Sequence, residues 1–267
     1  GLADPERVLV NLCRFLEGAR SPQSWAALFE REPDALETLL ALFSTSQYMA
    51  ERLVADPEAF DLLRMTAGRP VDVQILKDEI AAEIDVAGDS RSIMRALRDF
   101  RHRETLRIAY GDFIAQQPVE KVTQQISELC DAILQAALLG ALREQSQRSP
   151  RPLHQDGSPV EFAIIALGKL GGAELNYSSD IDLVFVYNTP RQPIQRGREA
   201  EQLSAIDDYF QRLCQLLVRY LSESTSRGVA YRVDMRLRPA LAASTLDLPP
   251  LPHERRHCRH RCTETQD

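Results

Sequence analysis

Apolar positions recur at helical spacing from residue 5 to about residue 147, and then the pattern changes. The clearest stripe is Val119, Val122, Ile126, Leu129, Ile133 and Ala136, spaced alternately by three and four, which predicts one helix from Val119 to about Gln147. Pro118 suits its first turn. A second helix is expected from about Ser90 to Phe113, and Pro22, Pro33, Pro57 and Pro70 fall where shorter helices should begin or break. The polar stretch RSPRPLHQDG, Arg148 to Gly157, reads as a linker. Beyond it, short β-branched runs appear: a strand over Val160 to Leu167, another over Ile181 to Tyr187 and a third over Tyr231 to Pro239. Between the last two, Ile206, Phe210, Leu213 and Leu217 mark the core side of a helix from about Ala200 to Ser222. The expected fold is therefore α+β, with an all-helical region over 1–150, an α/β domain with a small mixed sheet over 151–240, and a disordered tail over 241–267.

Residues 168–182, GKLGGAELNYSSDID, carry the candidate chemistry. Gly171 and Gly172 lack a Cβ, so the chain there can turn tightly and bring its amides near a phosphate. Side chains alternate along a strand, which puts Asp180 and Asp182 on one face with Ile181 directed to the core. In YRVDMRLRP, Asp234, Arg236 and Arg238 share a face by the same alternation. Three carboxylates and two arginines suit metal-assisted phosphoryl or nucleotidyl transfer, in which hard cations bind the carboxylates and positive groups offset phosphate charge. Taken singly, each motif has a plain reading: a solvated strand end, an ordinary turn, a salt-bridged edge. Their order along the chain (strand, glycine turn, D-x-D strand, long helix, strand with a third aspartate) favours the catalytic reading.

The charge balance narrows the function classes. A net charge of −7 argues against a general nucleic-acid binder, which needs a basic surface to displace counterions. No stretch reaches the ~20 consecutive apolar residues of a membrane span, and the opening GLADPERVLVNL has no secretory pattern, so a cytoplasmic protein is expected. Five cysteines make no disulfide framework, and Cys13, Cys130 and Cys214 fit buried helical positions. Arg91, Arg95, Arg98 and His102 line one face of the Ser90 helix. That face reads as solvated and paired with Asp99 and Glu104, or alternatively as a phosphate-facing or partner-facing surface. In the tail, His253, His257, Cys258, His260 and Cys262 are too closely spaced for a two-halved zinc site.

Together, GKLGGAELNYSSDIDLVFVY at 168–187, YRVDMRLRP at 231–239, ALRDFRHRETLRIAYGD at 96–112 and the opening LADPERVLVNLCRFLE resemble the bacterial glutamine synthetase adenylyltransferase family, also called adenylyl-removing enzymes. The resemblance covers most of residues 2–239 and implies a nucleotidyltransferase domain of the DNA polymerase beta type. Members of that family are longer and carry two such domains; the LNYSSDIDL wording and the preceding helices resemble the first, which removes AMP from a modified tyrosine of glutamine synthetase by phosphorolysis and releases ADP. By position, Asp180, Asp182 and Asp234 would bind Mg²⁺ or Mn²⁺, Gly171 and Gly172 would cradle phosphates with Ser179 helping, and Lys169, Arg236 and Arg238 would neutralise the two anions. The implied partners are glutamine synthetase, an adenine nucleotide and phosphate, with PII signalling proteins answered by regions outside this chain. Three alternatives stand beside this reading: transfer of AMP from ATP to the tyrosine, a uridylyltransferase of the PII system, and a truncated silent fragment. The fragment reading draws on ALAASTLDLPPLPHERR, which follows RLRP where the family continues with a glycine-containing segment.

Overall fold

The computed structural model describes residues 4–154, 156–188, 198–234 and 262–264. Eight helices come first: α1 (Pro5–Gly18), α2 (Pro22–Arg31), α3 (Pro33–Thr45), α4 (Gln47–Ala55), α5 (Ala59–Thr66), α6 (Val73–Val86), α7 (Ser90–Phe113) and α8 (Val119–Ser146). Each proline singled out in the sequence lies at a helix start or in the connection before one, because its ring fixes φ and removes an amide that the first turn leaves unpaired. Then follow β1 (Phe162–Leu167), the single turn α9 (Gly168–Gly171), β2 (Ile181–Tyr187), α10 (Arg198–Ser222), β3 (Val233–Asp234) and β4 (Cys262–Glu264). The α+β class expected from the pattern is the class observed.

Two compact units divide the chain: Gly1–Asp72 with Phe100–Ile126, and Val73–Asp99 with Ser127–Asp267. In the first, Phe15 is the hub of an aromatic core, its ring centroid 5.2 Å from Trp25, 6.1 Å from Phe43 and 6.3 Å from Phe60, all edge to face. Buried Arg107 of the same unit pairs with Glu104 at 2.7 Å and donates to Gln125 at 2.9 Å and to the Arg69 carbonyl at 2.7 Å. Glu104 is thus a structural partner inside the core, not part of a solvated charged face. Cys13 is exposed, against the expectation of burial, because it lies on the outward side of α1 with Leu9 and Val10.

The second unit holds the sheet, in strand order β3-β2-β1-β4. β1 and β2 pair antiparallel, with Phe162 opposite Tyr187 and Leu167 opposite Asp182. β2 and β3 pair parallel. Phe162 and Tyr187 meet Phe210 of α10, whose ring lies 4.6 Å from Tyr187 and 5.5 Å from Phe162, and Phe185 stacks on Phe162. By alternation, Asp182 emerges on the opposite face. Cys262–Glu264, within the segment expected to be a disordered tail, pair antiparallel with β1, Ala163 facing Glu264. The other residues from 235 onward, including the His/Cys cluster apart from Cys262, lie outside the described residues. α8 is long and apolar enough to cross a membrane, but 78% of its most apolar window is buried, as in a core helix. Burial also pushes the Cys214 thiol up to about 12, so this cysteine is inert at neutral pH.

Arg98 corrects the sequence reading most sharply. Expected on a solvated or phosphate-facing surface, it is 0% exposed. Its guanidinium donates to the carbonyls of Met94 (2.7 Å), Tyr220 (3.1 Å), Gly228 (2.7 Å) and Glu223. It thereby binds the last turn of α10 and the 225–228 turn that lead into β3. Asp99 is likewise engaged, with Arg227 at 3.5 Å. Replacing Arg98 by Met leaves four carbonyls without a charged donor and should cost roughly 3 kcal/mol, read as a lower denaturant midpoint; Arg95→Ala, exposed on the same helix, should change stability by less than about 0.5 kcal/mol.

Glu144 of α8 accepts from Tyr220 at 2.6 Å and from Ser90. Burial raises its pKa, but these hydrogen bonds with the Arg219 and Arg148 charges outweigh burial and hold it below the usual value. A carboxylate depressed in the folded state adds stability above its unfolded pKa and loses it as pH falls through the folded one. Glu144→Gln should therefore flatten the acid side of a stability-against-pH curve while lowering stability at neutral pH.

Candidate functional site

Three consecutive rungs of the parallel pairing build the site. Ile181 faces Val233, and Asp182 faces Asp234. One position earlier, just outside the strands, Asp180 faces Arg232, whose Nε donates to Asp180 Oδ1. Ile181 is buried and donates its amide to the Arg232 carbonyl at 2.9 Å, which fixes the register. Alternation places the flanking rungs, Asp180 with Arg232 and Asp182 with Asp234, on one face. Parallel strands lie ~4.8 Å apart, so two carboxylates stand as immediate neighbours.

The turn beneath them explains the glycines. Gly168 has φ +56°, and a Cβ there would come 2.5 Å from Asp182 Oδ2. The Asp182 carboxylate thus rests over the Cα of Gly168, a close approach that only glycine permits in this conformation. A Cβ on Gly171 would meet the Ala166 carbonyl at 2.6 Å, so this glycine too is required. Gly172 is not: its φ is −82° and the nearest atom to a Cβ would be 3.6 Å away. The amides of Gly172, Ala173 and Glu174 donate to the Gly168, Leu170 and Lys169 carbonyls, closing the turn on itself. Sequence reasoning missed Gly168, although its place directly after a strand and three residues before the glycine pair was a usable signal.

The serine-rich loop is internally tied. Ser179 Oγ donates to Asn176 Oδ1 at 2.7 Å, which also accepts the Ser178 amide at 3.3 Å. Leu175, buried, donates its amide to Ser127 Oγ of α8 at 3.1 Å, anchoring the loop. Arg232 Nη2 donates to the Ser178 carbonyl at 2.8 Å. Ser179 consequently shapes the loop that delivers Asp180. Lys169 is exposed on α9 and makes no ion pair among the described residues. Arg236 and Arg238 lie outside the described residues. Arg232 was not singled out in the sequence, yet it is the guanidinium that the fold brings to the carboxylates.

The donor chemistry suits a hard divalent cation, since Asp182 and Asp234 are adjacent carboxylates on one strand face. Among the described residues, no group of three or more His, Cys, Asp or Glu side chains is gathered tightly enough to hold a metal ion. Asp182 and Asp234 face each other across the parallel pairing, while Asp180 pairs with Arg232.

Comparison with known proteins places this geometry in context. Residues 36–249 match the family described as glutamate-ammonia ligase adenylyltransferase. A protein of Pseudomonas aeruginosa called bifunctional glutamine synthetase adenylyltransferase/adenylyl-removing enzyme is 34% identical over 250 residues, covering 91% of this chain and 25% of the relative. Proteins of the same name from Mannheimia haemolytica and Neisseria meningitidis serogroup A are 35% and 32% identical, over 90% and 88% of this chain. The chain spans about a quarter of the length of each of these relatives.

The glycines supply a direct check on the geometry. Gly168→Ala should displace the Asp182 carboxylate and cost about 1–2 kcal/mol, whereas Gly172→Ala should be neutral or slightly stabilising. Denaturant unfolding of both variants reads the difference.

Proposed function

This chain belongs to the glutamate-ammonia ligase adenylyltransferase family, and on that premise we propose that it removes AMP from an adenylylated tyrosine of glutamine synthetase by phosphorolysis. The reaction is cytoplasmic. An oxygen of inorganic phosphate forms a bond to the α-phosphorus, the bond from that phosphorus to the tyrosyl oxygen breaks, and the products are ADP and a free tyrosine side chain. The observation that carries the proposal is the register of Asp182 with Asp234 over the Gly168 turn. Names of the relatives include both glutamine synthetase adenylylation and adenylyl removal; the resemblance of LNYSSDIDL to the wording of the family's first domain supports removal.

In this reading Asp182, Asp234 and Asp180 would hold Mg²⁺ or Mn²⁺, Asp180 being paired with Arg232 in this structure. When bound, the cation polarises the α-phosphoryl oxygens and offsets charge as it builds on them. Gly168 lets the backbone pass close to the Asp182 carboxylate, and Gly171 lets the turn close against the Ala166 carbonyl. Lys169, exposed beside the turn, and Arg236 and Arg238 offset the charge of the two anions that must meet. Phosphate brings its own anionic oxygen, so no separate general base is required. PII signalling proteins would act through other parts of the longer relatives.

The test is ADP release from adenylylated glutamine synthetase in the presence of Mg²⁺ and phosphate. Asp182→Asn and Asp234→Asn should each reduce the rate by at least about 100-fold while leaving the fold intact by circular dichroism. AMP incorporation from ATP with no phosphate-dependent ADP release would instead assign the forward transfer.

A further inference from the structure

We propose that Arg232 is a built-in counter-cation that holds Asp180 when no divalent metal is bound and gives it up when one binds. The inference rests on reading Asp180 and Asp182 as cation ligands, and it adds a competitor that the chain itself supplies.

The geometry is specific. The Arg232 backbone is pinned at the sheet edge, because its carbonyl accepts the Ile181 amide at 2.9 Å. From that fixed point its side chain reaches across the rung, Nε to Asp180 Oδ1 and Nη2 to the Ser178 carbonyl. One guanidinium therefore holds both the carboxylate and the loop that carries it. The guanidinium charge offsets that of Asp180 while no metal is bound. The fork competes with a metal ion: it occupies Asp180 Oδ1, and its positive charge opposes a cation shared with Asp182, two residues along on the same face.

Exposure makes the arrangement reversible. The side chains of Arg232 and Asp180 are 65% and 53% exposed, so their pair is a weak surface one that a divalent ion can displace. A buried pair in this position would lock Asp180 away. Asp180 is thus the carboxylate that Arg232 gates.

Mn²⁺ serves as the probe, its binding to the 267-residue chain followed by the electron paramagnetic resonance of the free ion in the absence of nucleotide. Arg232→Ala should tighten the Mn²⁺ Kd roughly two- to fivefold, the range expected when an exposed ion pair is released. In the Asp180→Asn background the same arginine change should have almost no effect, since the carboxylate it guarded is gone. Arg232→Lys, which keeps the charge but cannot fork to Asp180 and Ser178 together, should fall between wild type and Arg232→Ala. Unchanged or weaker Mn²⁺ binding in Arg232→Ala overturns the proposal, and so does a gain of equal size in the Asp180→Asn background, which would mark Arg232 as a diffuse charge. If Asp180→Asn and Asp182→Asn both leave Mn²⁺ binding untouched, the reading of these carboxylates as ligands fails first, and the counter-cation with it.

Discussion

The register between β2 and β3 is the constraint on which the site depends. Only two described residues of β3 pair with β2, yet that pairing decides which side chains meet: Asp182 with Asp234, and one rung earlier Asp180 with Arg232. A slip of one residue would send Asp234 to the opposite face. Such a short strand cannot hold its own register, and the fold secures it from outside. Buried Ile181 fixes the middle rung. Upstream of β3, the Ala230 and Tyr231 amides both donate to the Leu221 carbonyl, Ser222 Oγ donates to the Tyr231 carbonyl, and Arg98 grips the segment from Tyr220 to Gly228. A core arginine on a helix more than a hundred residues earlier thus positions a carboxylate at the sheet edge.

Placing carboxylates side by side works against folding stability, because like charges repel. The rung that holds Asp182 and Asp234 is built all the same, with the Asp182 carboxylate laid over the bare Cα of Gly168. Such local conflict between stability and geometry is expected where binding or chemistry takes place. On the neighbouring rung the Asp180 charge is offset by the Arg232 guanidinium.

Much of this was legible in the sequence, for identifiable reasons. β2 and the long helices α7 and α8 follow directly from periodicity, since a stripe of apolar residues or a β-branched run has few other stable arrangements. Alternation gives the shared face of Asp180 and Asp182, and the approximate place of Asp234 follows from the strand after α10. Long-range contacts are what periodicity cannot carry. Arg98 looked like part of a basic surface because its partners, backbone carbonyls some 120–130 residues away in sequence, leave no residue-type signature. Gly168 was passed over in favour of Gly172 because the need for glycine comes from the Asp182 carboxylate, a neighbour across the sheet. Arg232 was overlooked because it reads as the polar residue of an alternating strand until the parallel register sets it against Asp180. The tail offered no periodic signal at all, and β4 within it pairs with β1 through its backbone, which any sequence can supply.

The central claim is that Asp182 and Asp234 form a cation-binding pair. Thermal unfolding of wild type and Asp182→Asn, each with chelator and with excess Mg²⁺, tests it without reference to catalysis, because a ligand that binds only the folded state raises its melting temperature. Mg²⁺ should raise the Tm of the wild type, while Asp182→Asn should be no less stable than wild type in chelator and should show no Mg²⁺ response. An undiminished Mg²⁺ shift in Asp182→Asn, or no shift in the wild type, would contradict the account.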